Sequence, residues 1–297
     1  ADVTNEYFGI AGWVTGLILT LIVGSVLIGG IQRIGKVTGI LVPVMVIIYV
    51  VAGLYVLCQN YGEIPELLQL IIVSAFMPTE ATGAFIGGTM GSAFLFGMKR
   101  AIFSNEAGQG SSAIAHAAAK TDEPVREGLV GGMEPFIDTI VVCTFTALII
   151  LSTGVWNRAP DISFDQPPTL SQQGNTWVFT DTLLSSGQWQ DEEALMMIVR
   201  AGKNNSTQQD FHRISGVTKQ TEDGFIVTWQ PFKNELKPEI IGDGFYRDYV
   251  GATLTAKAFD TVAPGLGKWL ITVASWLFAI STIIAWGYYG EQGAIYM

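Results

Sequence analysis

The sequence predicts an all-α membrane protein of five transmembrane helices, one of them broken, with a small α+β or β-rich extracellular insert. Three observations predict it. Of 297 residues, 49% are hydrophobic and only 14% charged, where a soluble domain carries about a quarter charged, and the mean hydropathy is +0.39. The apolar residues come in runs of the length a bilayer demands, about 20 residues for a ~30 Å hydrocarbon core. Between two such runs, polar turns surround short alternating segments such as "GFIVTWQPF" and "NTWVFTD", the pattern of strands in water. Glycine, with 34 residues, suits closely packed membrane helices.

Taken in order, Ile10 to Ile31 and Ile40 to Leu57 are long enough to span. "QRIGKV" between them puts Arg33 and Lys36 in a short loop, which marks the cytoplasmic side. The first span therefore enters and the second leaves. Residues 59–97 carry Glu63, Glu66 and Glu80 but no Lys or Arg, as expected outside; within them 84–97, "AFIGGTMGSAFLFG", is too short to span. It is expected to re-enter or to pack on the outer side, and were it to span, every later span would reverse. Met98 to about Lys120 and Phe136 to Thr153 are the next two spans, joined by "TDEPVREGLVGGMEP". The polar insert covers 156–262, and Pro264 to about Tyr289 is the last span. The domains are thus 1–155, 156–262 and 263–297.

The net charge of −10 argues against a nucleic-acid partner, since phosphate binding needs a basic face. Half of it falls between Thr153 and Ala263, with 14 acidic and 9 basic residues. Cys58 and Cys143 lie in apolar stretches, where cysteine acts as a small hydrophobe rather than half of a disulfide. His116 and His212 are far apart, and no metal-ligand spacing occurs. The chain opens on Ala, just before a span and without a signal-peptide pattern, as expected of a piece of a longer protein.

"FSNEAGQGSS", 103–112, is the polar interruption of a span. A charge in hydrocarbon costs about 2.5–3.5 kcal/mol on insertion scales, so Glu106 beside Asn105 must face protein or water. Gly108 and Gly110 each remove about 1 kcal/mol of helix propensity. Together they describe a discontinuous helix, whose freed backbone groups need a protein-lined cavity or a ligand. The plainer alternative is a packing face of small residues, Gly108–Ser112 and Ser111–Ala115–Ala119.

Further polar residues point the same way. Thr282 and Trp286 are four apart and share a helix face, with Ser281 alongside and Phe278 one turn earlier. Hydroxyls backed by a helix carbonyl suit an alkali cation; alternatively they bond back to the preceding turn, and Trp286 anchors at the interface. Asp138 caps the first turn of a span or serves transport, and His116 bonds locally or relays a proton. Ser104, His116 and Asp138 lack any motif of a hydrolase, so no enzyme is expected.

At these residues the chain resembles a known family. "RAIFSNEAGQGSSAIAHAAAKTDEPVREGLV" with "FIDTIVVCTFTALIIL", and also "GGIQRIGKV", "LVPVMVIIYV" and "FAISTIIAWGYYGE", are similar in sequence and order to the alanine or glycine:cation symporters, the sodium:alanine symporter family. The resemblance covers almost all of the chain except 156–250. It implies a partial leucine-transporter-like (LeuT-like) bundle in which 1–155 are helices four to seven and 263–297 is helix eight. The substrate would then meet Phe103, Ser104, Asn105, Glu106, Gly108, Gly110, Thr282 and Trp286. Sodium would meet the Phe278 carbonyl, Ser281 and Thr282. Gln109, Ala101 and Glu134–Pro135 depart from the family pattern, as does the large insert.

The implied function is Na⁺-coupled (or H⁺-coupled) symport of a small neutral amino acid, alanine or glycine, by a multi-pass protein of the cytoplasmic (inner) membrane. Its partners would be membrane lipid and the missing helices, one to three and those after eight. The alternative is a membrane-anchored sensor or scaffold whose outer domain binds a ligand.

Overall fold

The computed structural model describes residues 2–76, 90–106, 108–164, 167–184, 189, 191–201, 211–221, 224–249 and 251–297. The chain divides into two compact units, one of Ala1–Ile72, Phe96–Val155 and Val250–Met297, the other of Val73–Leu95 and Trp156–Tyr249.

The first unit is helical. α1 (Asp2–Phe8), α2 (Gly12–Leu27) and α3 (Gly30–Gln59) lead to α4 (Ile64–Phe76) and α5 (Met90–Ser104), which straddle the division. α6 (Ser111–Ala117), α7 (Pro124–Pro135) and α8 (Cys143–Ser152) follow, then α9 (Ala252–Val262) and α10 (Leu266–Tyr296) after the second unit. Two apolar clusters hold the unit together. Val56, Leu57, Leu148, Ile149, Phe259, Leu270 and Ile271 join α3, α8, α9 and α10. Val23, Val26, Ile34, Ile280 and Ile284 join α2, α3 and α10. The outer faces remain apolar too: Val44, Ile47, Val51 and Leu54 of α3 are exposed, as on a helix whose solvent is lipid.

Three helices among the described residues are long and apolar enough to cross a membrane: Gln32–Gln59, Pro124–Ser152 and Leu266–Tyr296. This overturns the expected five spans, and with them the partial LeuT-like bundle. The reasons are local. The first apolar run yields a helix of only 16 residues, Gly12–Leu27, because the chain turns at Ile28–Gly29. α3 begins directly after that turn, so Arg33 and Lys36 lie in its first turns and not in a loop. The run from Met98 to Lys120 is divided between α5 and α6 and makes no continuous span. In contrast, helix runs unbroken from Pro124 through the stretch expected as a connecting loop. Of the segment 84–97, residues 84–89 lie outside the described residues, and 90–97 are the first part of α5.

Nor is the chain all-α. The second unit holds a six-stranded antiparallel sheet, in the order β1 (Ile162–Ser163), β9 (Glu239–Arg247), β5 (Ala194–Arg200), β6 (Phe211–Thr221), β7 (Gly224–Trp229), β4 (Thr182–Leu184). A smaller sheet has the order β2 (Leu170–Gln173), β3 (Thr176–Phe179), β8 (Phe232–Lys233). Register is fixed by pairs such as Met197↔Ile214 and Thr218↔Val227. β5 is buried on both faces. Leu195, Met197 and Val199 join Phe179, Ile214, Trp229 and Phe245 on one side, and Met196 and Ile198 join Tyr246 on the other. Its sequence is accordingly a continuous apolar run, "ALMMIV", without alternation. Where the chain enters and leaves this unit, Arg158 donates to the Arg247 carbonyl at 2.6 Å and pairs with Asp161 at 3.2 Å. The Arg247 N–H in turn donates to Asp161 at 2.9 Å.

Candidate functional site: a broken helix fastened to a π-helical turn

Helix stops at Ser104 and resumes at Ser111. Within the interval Glu106 has φ 50, Gly108 φ 76 and Gly110 φ 81. This left-handed backbone is reached freely only by glycine, so the two glycines stand where the chain needs them. A left-handed glutamate is uncommon and costs energy that its surroundings must offset. Glu106 is half-buried, whereas the two glycines are exposed.

Two side chains at the upstream end of the break reach one neighbouring helix. The Asn105 amide donates to Thr139 Oγ1 at 3.0 Å, and that hydroxyl lies 3.3 Å from Asn105 Oδ1. The Ser104 hydroxyl donates to the Asp138 carboxylate. Asp138 and Thr139 belong to a π-helical segment, Phe136–Val142, inside the span Pro124–Ser152. The Cys143 N–H bonds to the Asp138 carbonyl, five residues back. Pro135, which has no N–H to give the ladder, directly precedes this segment, and the wider π turn changes the helical phase of the residues in it. Asp138 therefore sits within a continuous helix instead of capping a first turn.

The same end of α5 meets α10. Phe103 stacks on Trp286, with ring centroids 6.2 Å apart and planes at 19°, and Trp286 meets Tyr289 edge-on at 6.3 Å. The hydroxyl of Thr282, one turn before Trp286 in α10, makes no side-chain hydrogen bond among the described residues. Ser281 Oγ donates to the Phe278 carbonyl at 2.9 Å, the back-bond of a helix serine. Among the described residues, nothing links Phe278, Ser281 or Thr282 to the break by a hydrogen bond or ring contact. The structure thus gathers Phe103, Ser104, Asn105 and Trp286 around the interruption and leaves the three expected sodium ligands on their own helix.

Sequence reasoning missed two groups. Thr139 carried no signal, because only the π turn brings it to Asn105. Ser111, the first residue after the break, is 7% exposed, and its hydroxyl has no partner among the described residues. An orphan buried hydroxyl is costly unless water or a ligand satisfies it. A serine directly following "GQG" was the available hint. Among the described residues, no group of three His, Cys, Asp or Glu is placed to hold a metal ion.

Comparison with known proteins finds relatives among membrane transporters. The chain is 32% identical over 292 residues to the sodium/alanine symporter AgcS of Methanococcus maripaludis, an alignment covering 98% of this chain and 45% of that protein. It is 38% identical over 157 residues to a sodium/proton-dependent alanine carrier protein of Bacillus sp. (strain PS3), covering 53% of this chain and 34% of that one. It is 45% identical over 154 residues to an uncharacterized transporter of Haemophilus influenzae, covering 52% and 34%. The chain spans less than half the length of these relatives. No solved structure matches it. The family model for sodium:alanine symporters matches residues 1–181 and 226–297. With its candidate spans, the chain is a multi-pass cell-membrane protein, and it belongs to the sodium:alanine symporter family.

Proposed function

We propose that the full-length protein carries a small neutral amino acid, alanine or glycine, into the cell, driven by Na⁺ or H⁺. The observation that carries this reading is the interruption at 105–110, opened inside an apolar helical unit and held by Asn105–Thr139 and Ser104–Asp138. Left-handed backbone in such a place is costly to maintain, and a transported solute gives it a use. The relatives named for sodium/alanine symport and for sodium/proton-dependent alanine carriage support the same class of substrate and ion.

In this reading the solute lies against Phe103, Ser104, Asn105, Glu106, Gly108 and Gly110. Trp286 closes the space available to its side chain, and Ser111 supplies one further hydroxyl. The cation is held by the Phe278 carbonyl, Ser281 and Thr282 once Ser281 gives up its back-bond.

The test is uptake of labelled alanine and glycine into proteoliposomes containing the full-length protein, with and without a sodium gradient. Thr282→Ala is expected to raise the sodium concentration needed for half-maximal uptake about tenfold, the loss of one ligand worth about 1.4 kcal/mol. An unchanged sodium dependence removes Thr282 from the ion site. Absence of any gradient-driven uptake overturns the function itself.

A further inference from the structure

α6, the short helix that follows the break, is tied to α7 by one polar cluster. His116 Nδ1 lies 2.7 Å from Glu127 Oε1, and its Nε2 lies 3.7 Å from Glu134 Oε2. Ser112 Oγ donates to the same Glu134 oxygen at 3.4 Å. Ser112 and His116 are one turn apart on α6, and Glu127 and Glu134 are two turns apart on α7, so each pair shares a face. The imidazole fits because position 131 is glycine: a Cβ there would come within 3.1 Å of Nε2. No Lys or Arg among the described residues pairs with Glu127 or Glu134. From α10, Tyr288 and Tyr296 line a groove against Ile114 and Ala117, and Tyr289 lies within electrostatic reach of Glu106 and Glu134. Thus two carboxylates contact the imidazole directly, and among the described residues no other titratable side chain pairs with it.

We propose that His116, held between Glu127 and Glu134, is a proton-binding site that fastens the second half of the broken helix to α7. A carboxylate only accepts hydrogen bonds, so Nδ1 carries a hydrogen toward Glu127 in the neutral ring. A proton taken from water then lands on Nε2, facing Glu134. It turns a one-sided hydrogen bond into a cation between two anions, and the 3.7 Å gap closes. The fastening acts on the residues that directly follow Gly110, so the state of the imidazole sets how firmly the downstream lip of the break is held.

The direction of the pH effect follows from the contacts. The hydrogen bond to Glu127 is the largest influence and lifts the imidazole above its ordinary value of about 6.5. Burial pulls it down and the charges of Glu127 and Glu134 add to the rise. A raised value in the folded state means that the fastening is fully present below about pH 6.5 and is lost as pH rises through the raised value.

This site goes beyond the transport reading, and its test does not depend on uptake. Amide hydrogen exchange of residues 111–117 is measured in the full-length protein in lipid nanodiscs across pH 5.5–8.5, corrected for intrinsic exchange. Protection in the parent protein is expected to fall about two- to fivefold through a single step, the scale of part-exposed ion pairs. The step is expected to vanish in His116→Asn and to move to lower pH in Glu127→Gln, which removes the hydrogen-bonded anion. Should His116→Asn fail to fold, Glu127→Gln and Glu134→Gln, which keep the imidazole, decide the matter. No step in the parent protein, the same step in His116→Asn, or an unmoved midpoint in both glutamine variants overturns the site.

Discussion

Asn105 and Thr139, 34 positions apart, face each other across the break, with the amide nitrogen 3.0 Å and the amide oxygen 3.3 Å from the one hydroxyl. Asn105 is the first residue beyond α5, and Thr139 lies in the π-helical segment of the next span. The contact therefore fixes where the interrupted helix leaves its neighbour.

A double-mutant cycle measures this link. Asn105→Ala and Thr139→Val are each expected to destabilise the protein, with a coupling energy near 0.6 and no more than about 1.7 kcal/mol, the range for hydrogen bonds between membrane helices. Reversible unfolding in bicelles gives the value. Strict additivity of the two changes shows that the bond contributes nothing.

Backbone conformation, rather than side-chain chemistry, is tested at the glycines. Gly110 has φ 81, and an added Cβ in left-handed backbone costs about 1–2 kcal/mol. Gly110→Ala is therefore expected to lower stability by that amount. Gly132→Ala, in α7 with ordinary φ and nothing within 4 Å of the new Cβ, is expected to be neutral or to gain helix propensity. Equal losses in thermal unfolding at both positions contradict a left-handed Gly110.

Trp286 stacks on Phe103 at the end of α5, with centroids 6.2 Å apart. Truncating it to Ala removes the stack, worth about 0.5–1.5 kcal/mol beyond the buried area, and enlarges the space beside residues 103–106. Competition of labelled alanine uptake by leucine and methionine is expected to strengthen in Trp286→Ala and to change little in Trp286→Phe. A competition profile that does not move takes Trp286 out of the solute's surroundings.

Much of this was written in the sequence because short-range physics controls it. Asn and Glu next to two spaced glycines do not continue an apolar helix, and α5 and α6 part within that stretch. Alternating runs such as "NTWVFTD" and "GFIVTWQPF" supply β3 and β7. Other features were misread for equally physical reasons. Apolar length made Ile10–Ile31 look like a span, yet the turn at Ile28–Gly29 cuts the helix to 16 residues. Charges and prolines made 121–135 look like a loop, yet Pro124 sits at a helix start, where its missing N–H does no harm.

By itself, then, the sequence determined which segments are apolar, which alternate, and where backbone must leave the helix, since hydropathy and glycine's conformational freedom act within a few residues. Only the tertiary structure decided what faces the break. A single π turn after Pro135 shifts the phase of the helix, and that shift delivers Asp138 and Thr139 to Ser104 and Asn105. Helical phase accumulates along the whole element and is read out only where two elements touch, so no local pattern announces which residues will meet.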